Sequence, residues 1–534
     1  MPRKAVKKVA EEVEVKVVAE KVTAPKPAAK KSAPKTKKAD AAPKAAAAVV
    51  EEVVEQQPQR QIKILYLASE CQPFCATGGL GDVMGSLPKS MKAIHPEVDV
   101  RVMVPLYSDI KQEYKDKMSF VGYTYVDLAW RRQYCGVFEL VEDGVTYYFL
   151  DNEYYFKREG HYGYFDDGER YAFFSKAALS VLPLLGYIPT IINCNDWQTA
   201  LVPVYLKTLF HDEYYCNIRT VFTIHNIAYQ GTYDPAILGD VFGLGEQSRS
   251  IVTYDSCINL MKGAIVCCDV LSTVSPTYAE EIKTPEYSYG LHYIIKQNAY
   301  KLRGIINGID TTFYNPESDK ALFVQYGNKN LEAKAQNKTQ LQQMLNLPVD
   351  ENIPMLSMIT RLVDLKGIDL LIQTVDELMK NHLQLVILGK GDARYEEILR
   401  GIENRYPNKV RSIIAFNQDL SRKIYAASDI YLMPSRTEPC GLAQMIASRY
   451  GTIPVTRETG GLNDSIIDFG TGHGNGWTFK NYNARDFLYV VRNAVEVYNN
   501  HKDAWVDLRK VVYNTDFSWE KSAKEYWKMY ETLI

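Results

Sequence analysis

Residues 62–84 read IKILYLASECQPFCATGGLGDVM. The run Ile62-Lys63-Ile64-Leu65-Tyr66-Leu67-Ala68 is short, mostly apolar and bounded by polar residues, so it predicts a buried β-strand. The turn Thr77-Gly78-Gly79-Leu80-Gly81-Asp82 follows, and an apolar, helix-like stretch continues through Met84 to Ile94. Paired glycines let backbone N–H groups approach an anion with no Cβ in the way. A helix start behind such a turn adds a favourable dipole for phosphate. The turn nearly recurs as Thr459-Gly460-Gly461-Leu462-Asn463-Asp464. Either copy alone is also what an ordinary loop-to-helix junction provides. One per half of the chain suggests a phosphate-bearing ligand held between two lobes.

Outward from the first turn, strands and helices alternate. Val98–Val104, Thr190–Asn193, Thr220–Ile224 and Val270–Val274 read as further strands, with helix-length stretches between them. After a polar stretch around Asn315 to Gln343 the pattern restarts. Met355–Ile359, Leu383–Leu388, Val410–Ala415, Ile430–Met433 and Ile453–Val455 are strand candidates, with helical spacing over Gly367–Lys380 and Arg394–Tyr406. The expected fold class is α/β: two Rossmann-like, doubly wound domains with mostly parallel sheets, over 61–315 and 316–515. Ligands of such sheets bind at the carboxyl ends of the strands, so both glycine turns are expected to face one another across a cleft.

Residues 1–60 are rich in Lys, Ala, Pro, Glu and Val and have no aromatic residue, which predicts a disordered tail. It has neither the apolar core of a secretory signal nor the acid-poor composition of a transit peptide. The whole chain has 534 residues, 46% hydrophobic and 24% charged, enough for two large domains. The formal net charge of -2 gives no global electrostatic case for nucleic acid. No apolar run is long enough to span a membrane. Nine scattered cysteines lack paired zinc-site spacing, and the histidines show no HExxH-type pattern. No metal and no cofactor are expected, and reduced thiols point to the cytoplasm. The 38 tyrosines are suggestive of sugar, since ring faces stack on pyranoses while the hydroxyl bonds theirs.

Three segments offer chemistry at strand ends. Thr360-Arg361-Leu362-Val363-Asp364-Leu365-Lys366-Gly367 places two cations where a strand gives way to a helix, fit to bracket a diphosphate. Ser435-Arg436-Thr437-Glu438-Pro439-Cys440-Gly441-Leu442 places a carboxylate before a proline, in non-helical backbone, and a glycine expected to open a helix. Cys440 lacks a base in sequence and reads as packing rather than as a nucleophile. In the first half, Asn193-Cys194-Asn195-Asp196-Trp197-Gln198 and His225-Asn226 are polar and aromatic residues of the kind that line sugar sites.

Taken together, over residues 61–534, the chain resembles the bacterial glycogen synthase and plant starch synthase family. The motifs TGGLGDV, NDW, TIHNIAYQG, SPTYAEEI, NGID, TRLVDLKG, SRTEPCGL, TGGL and DFSW occur in that family's order. The resemblance implies a GT-B fold whose last segment, 516–534, crosses back onto the first domain. It implies transfer of glucose, with retention, from ADP-glucose (UDP-glucose being the alternative donor) to the non-reducing 4-hydroxyl of an α-1,4-glucan. It also implies roles: Arg361 and Lys366 on the distal phosphate, and Glu438 on the donor glucose, aided by backbone at Cys440, Gly441 and Leu442. N–H groups of Gly79, Thr459, Gly460 and Gly461 would meet phosphate, and Gly78 would also be part of the substrate-binding site. Asp82, Asp166 (or its neighbour Asp167), Asn195, His225, Asn226 and Asn259 would line the sugar side. The chain departs from the family at Ala76, where a lysine is frequent, and at Asn195 and Gln198, where histidines are frequent. Another retaining GT-B enzyme, or a glucan-binding homologue with weakened catalysis, are the alternative readings.

Overall fold

The computed structural model describes residues 61–534. The expected disordered tail, 1–60, lies outside the described residues. The first expected strand forms as Lys63–Leu67, with Ile64 to Leu67 fully buried, and pairs in parallel with Asp99–Pro105 on one side and Ile191–Asn195 on the other. A strand inside a sheet covered on both faces needs such an uninterrupted apolar run. It is the centre of a nine-stranded sheet, whose order is Leu302–Gly304, Val270–Thr273, Arg219–Ile224, Ile191–Asn195, Lys63–Leu67, Asp99–Pro105, Val145–Asp151, Arg131–Glu142, Ser119–Leu128. The last two strands are antiparallel additions at one edge.

The second sheet has six strands, all parallel, in the order Val410–Ile414, Gln384–Gly389, Met355–Ile359, Ile430–Met433, Ile453–Arg457, Trp477–Phe479. Chain order reverses direction at Lys63–Leu67 in the first sheet and at Met355–Ile359 in the second. In such sheets the loops leaving the carboxyl ends part at this point and open a crevice. The segments singled out from sequence at strand ends leave these strands or strands no more than two places away.

The helix Trp519–Glu531 packs on the Gly79–Ile94 helix of the first lobe. The Tyr530 hydroxyl donates to Asn193 Oδ1 (2.8 Å) and reaches the Tyr66 hydroxyl (3.2 Å). Ile309 bridges to Ser518 where the two crossing segments run together. All nine cysteines are free thiols. No described helix is long and apolar enough to cross a membrane.

Candidate active site

The loops after Met355–Ile359 and Ile430–Met433 leave adjacent parallel strands, and this brings Lys366 to Glu438. Lys366 Nζ lies 2.6 Å from Glu438 Oε2, and the Ser435 hydroxyl donates to the same oxygen at 3.0 Å. Glu438 is 8% exposed along its side chain and Lys366 20%, so the pair is largely withdrawn from water. Gly367, with φ of 72°, permits the contact. A Cβ there would stand 2.0 Å from the Pro434 carbonyl oxygen. Arg361 is exposed and pairs with no carboxylate among the described residues. The carboxyl-terminal lobe therefore offers one free guanidinium and one ammonium beside a buried carboxylate.

The expected helix start at Gly441 falls two residues later, at Ala443, because Gly441 takes a left-handed φ of 73°. The Cys440 and Gly441 carbonyls accept from Gln444 Nε2 at 3.2 and 2.9 Å. Burial pushes the Cys440 thiol up to about 12, so it stays protonated and packs.

Both glycine turns hold an anion, and in each case it is a carboxylate of the protein. In the first, Thr77 N and Gly78 N donate to Glu70 Oε2 at 2.6 and 2.9 Å, and the Thr77 hydroxyl donates to Oε1 at 2.8 Å. In the second, the Thr459 hydroxyl and Gly460 N donate to Glu281 Oε1 at 2.8 and 3.0 Å. Gly461 N donates to the Glu438 carbonyl at 3.2 Å and Thr459 N to that of Arg457 at 3.0 Å. The N–H groups of Gly78, Thr459, Gly460 and Gly461 are all engaged inside the protein, so a phosphate would meet those of Thr459 to Gly461 only in exchange for these partners. The second turn also braces the Glu438 loop. A Cβ on Gly460 would lie 2.0 Å from the Glu438 carbonyl oxygen, and one on Gly461 2.2 Å from that of Cys440. Gly79 N bonds no group among the described residues, and a methyl there would touch Leu442 at 3.9 Å. The first turn thus faces the Glu438–Leu442 loop directly.

The amino-terminal wall is acidic. Asp82 sits near Glu70 and Asp310, and burial with these two charges raises its carboxyl to about 6. Asp166 accepts Arg158 Nη1 and Nη2 at 2.6 and 2.7 Å, which holds its carboxyl below the usual range. Its neighbour Asp167 is consumed by structure: it accepts Gly163 N and Tyr164 N and pairs with buried Arg170 at 2.6 Å. Asp166 is the one of the two with room for a ligand.

Four expected sugar-side residues, Asn195, His225, Asn226 and Asn259, make side-chain hydrogen bonds inside the protein. Asn195 Nδ2 donates to the Leu67 carbonyl (2.9 Å), which fixes its amide so that Oδ1 accepts from His225 Nε2 (2.9 Å). Burial drops His225 to about 3, so it is a neutral imidazole. Asp196 accepts His225 N and Asn226 N, and burial raises it to about 7. Asn226 Oδ1 accepts Ala228 N within its own turn. Asn259 is buried, capping the Leu260–Cys267 helix through Lys262 N (2.9 Å) while Nδ2 holds Gln230 (2.6 Å). Asn195 and Asn259 shape the wall from behind its surface.

Sequence reasoning missed Glu70, Glu281 and Asp464. Asp464 Oδ2 and Oδ1 accept Thr277 N (2.9 Å) and the Thr277 hydroxyl (2.6 Å), so a carboxylate of one lobe caps a helix start of the other. The signal for Glu70 was its place just past a central strand. For Glu281 and Asp464 no local signal exists, because each acts across the lobes. Phe416, 92% exposed just past the Val410–Ile414 strand, is also new.

With this geometry in place the comparisons with known proteins are decisive. The model of the starch synthase catalytic domain matches residues 63–297, and that of glycosyl transferases group 1 matches 339–505. The chain is 47% identical over 478 residues to a glycogen synthase of Clostridium botulinum (strain Eklund 17B / Type B), covering 88% of this chain and 99% of that one. The chain belongs to the glycogen and starch synthase family. A glycogen synthase of Geobacillus stearothermophilus is 45% identical, over 89% of this chain and 98% of its own. Among solved structures, the catalytic domain of starch synthase IV from Arabidopsis thaliana, bound to ADP and acarbose, superposes with a TM-score of 0.82 at 33% identity. That match covers 89% of this chain and 99% of the other. The fold is accordingly the GT-B arrangement of this glycosyltransferase family. Among the described residues no group of three or more His, Cys, Asp or Glu side chains is placed to hold a metal ion.

Proposed function

We propose that this chain transfers glucose from ADP-glucose, with retention, to the non-reducing 4-hydroxyl of an α-1,4-glucan. The observation that carries this reading is the opposite character of the two facing walls. Arg361 and Lys366 make the carboxyl-terminal wall cationic, whereas Glu70, Asp82 and Asp310 make the amino-terminal wall acidic. A diphosphate fits only the first. A neutral polyhydroxyl chain, which donates hydrogen bonds to carboxylates, fits the second. Ala76 adds no cation to the acidic wall.

As the bond from anomeric carbon to diphosphate breaks, negative charge grows on the departing oxygen, and Arg361 and Lys366 meet it. The Glu438 carboxylate, held by Lys366 and Ser435, accepts from donor-sugar hydroxyls. Phe416 supplies an exposed ring for the base. In this reading residues 61–315 form the acceptor domain, 316–515 the donor domain and 516–534 the strap between them. The glycogen synthases to which the chain is similar, and the solved starch synthase captured with ADP and acarbose, support the assignment. Free cysteines support a cytoplasmic setting.

The test is transfer of labelled glucose to glycogen from ADP-glucose and from UDP-glucose, side by side. Transfer from ADP-glucose is expected to dominate. A preference for UDP-glucose overturns the donor assignment, and no transfer from either overturns the reaction.

A further inference from the structure

Phe165 is 105% exposed, an apolar ring standing wholly in water. Its loop, 157–166, is not loose. Asp167 Oδ2 accepts Gly163 N and Tyr164 N at 2.8 and 3.2 Å, and the Tyr164 hydroxyl donates to the Glu159 carbonyl at 2.5 Å. Arg158 clamps Asp166 through both terminal nitrogens and donates to the Tyr154 carbonyl. Tyr154, 65% exposed, lies across that pair, its ring 5.5 Å from the Arg158 guanidinium. The loop also reaches the acidic wall, since the Tyr162 hydroxyl donates to Glu70 Oε1 at 2.7 Å, and Glu70 is the carboxylate seated in the first glycine turn. An exposed phenylalanine on a rigid loop has no packing role to perform. The loop that carries it is already held by these bonds, so a ligand that stacks on the ring has mainly the rotation of one side chain to restrict.

We propose that Phe165 is a stacking platform for the acceptor glucan, with the Asp166–Arg158 pair beside it bonding hydroxyls of the same chain. The proposal rests on the glucan-transfer reading above and extends it to a binding residue. The ring presents a flat apolar face, which suits the axial C–H side of a pyranose. The adjoining carboxylate accepts and the guanidinium donates, so together they fit vicinal hydroxyls of either orientation. A phosphate is disfavoured there by Asp166 and by the acidic wall. Phe165 touches no reacting atom in this scheme, so its contribution is to hold the acceptor.

The test compares the unaltered chain with Phe165→Ala and Phe165→Trp, measuring KM and kcat separately for maltohexaose and for ADP-glucose. Full exposure means that neither substitution disturbs a core, and equal melting temperatures check this. Phe165→Ala is expected to raise KM for maltohexaose by about fivefold to tenfold, the size of one aromatic stacking contact, with kcat and the donor KM unchanged. Phe165→Trp is expected to restore or lower it. An unchanged maltohexaose KM in Phe165→Ala overturns the proposal, as does a rise confined to the donor KM, which would make the ring a base platform. A change of oligomeric state in Phe165→Ala, with the glucan KM unmoved, overturns it in favour of a subunit contact. If the unaltered chain transfers no glucose at all, the glucan-transfer reading fails instead. Maltohexaose binding by calorimetry then still reads Phe165 directly, and equal affinity for the unaltered chain and Phe165→Ala overturns the proposal.

Discussion

Replacing Lys366 by alanine separates two consequences that the structure ties to one atom. Nζ neutralises Glu438 at 2.6 Å, and the Glu438 side chain is only 8% exposed. Removing one partner of a fully buried pair costs about 3–5 kcal/mol, because the remaining charge is stranded. Here Lys366 is 20% exposed and the Ser435 hydroxyl still donates to the carboxylate. The loss is therefore expected near the lower end or below it, about 2–3 kcal/mol in urea unfolding. Turnover should fall further, by about 10²–10³, as for loss of one preorganised group facing transition-state charge. The double variant Lys366→Ala/Glu438→Gln removes the stranded charge. Its stability should return to within about 1 kcal/mol of the parent, while transfer of labelled glucose stays slow. The reasoning is refuted if the double variant is no more stable than Lys366→Ala. It is equally refuted if Lys366→Ala turns over within tenfold of the parent.

Two further outcomes follow from the same geometry. Asp196 titrates near 7 and Asp82 near 6, both raised chiefly by burial. Above about pH 4 the unfolded chain has lost these protons while the folded one keeps them, so stability should fall as pH rises from 4 to 7. Asp196→Asn should flatten that fall, by up to about 1.4 kcal/mol per pH unit, in unfolding midpoints at pH 5, 6 and 7; an unchanged slope would show that Asp196 is ionised throughout. Gly460→Ala places a methyl 2.0 Å from the Glu438 carbonyl oxygen at a φ of 44°. It should lower stability by about 2 kcal/mol or more and slow turnover by displacing Glu438, whereas wild-type rates would show that the turn does not brace that loop.

The parallel strands were legible because burial on both faces demands unbroken apolar runs. Met355–Ile359 and Ile430–Met433 form within the bounds that the sequence suggests. The edge hairpin Ser119–Leu128 and Arg131–Glu142 escaped notice, since Tyr123, Tyr125 and Tyr134 are aromatic yet point to solvent, which blurs its alternation. Anion-holding turns were legible from their glycines. Which anion fills them was not, because Glu70 is seven residues upstream of Thr77 and Glu281 is 179 residues from Gly460. The same limit applies to Asn259: an asparagine before an apolar helix serves equally as cap or ligand, and only its partners, Lys262 N and Gln230, decide.

The Tyr530 contact with Tyr66 has a consequence for how the protein is made. The two residues are 464 positions apart, and Tyr530 also bonds Asn193. At about 5–20 residues per second, a ribosome that has just made Tyr66 needs roughly half a minute to a minute and a half to deliver Tyr530. From residue 304 onward the first sheet is complete in sequence but still lacks the helix that covers part of one face. Nascent chains should therefore expose apolar surface beside the Gly79–Ile94 helix and bind holdase chaperones there. Release of Trp519–Glu531 should end that binding in a single late step.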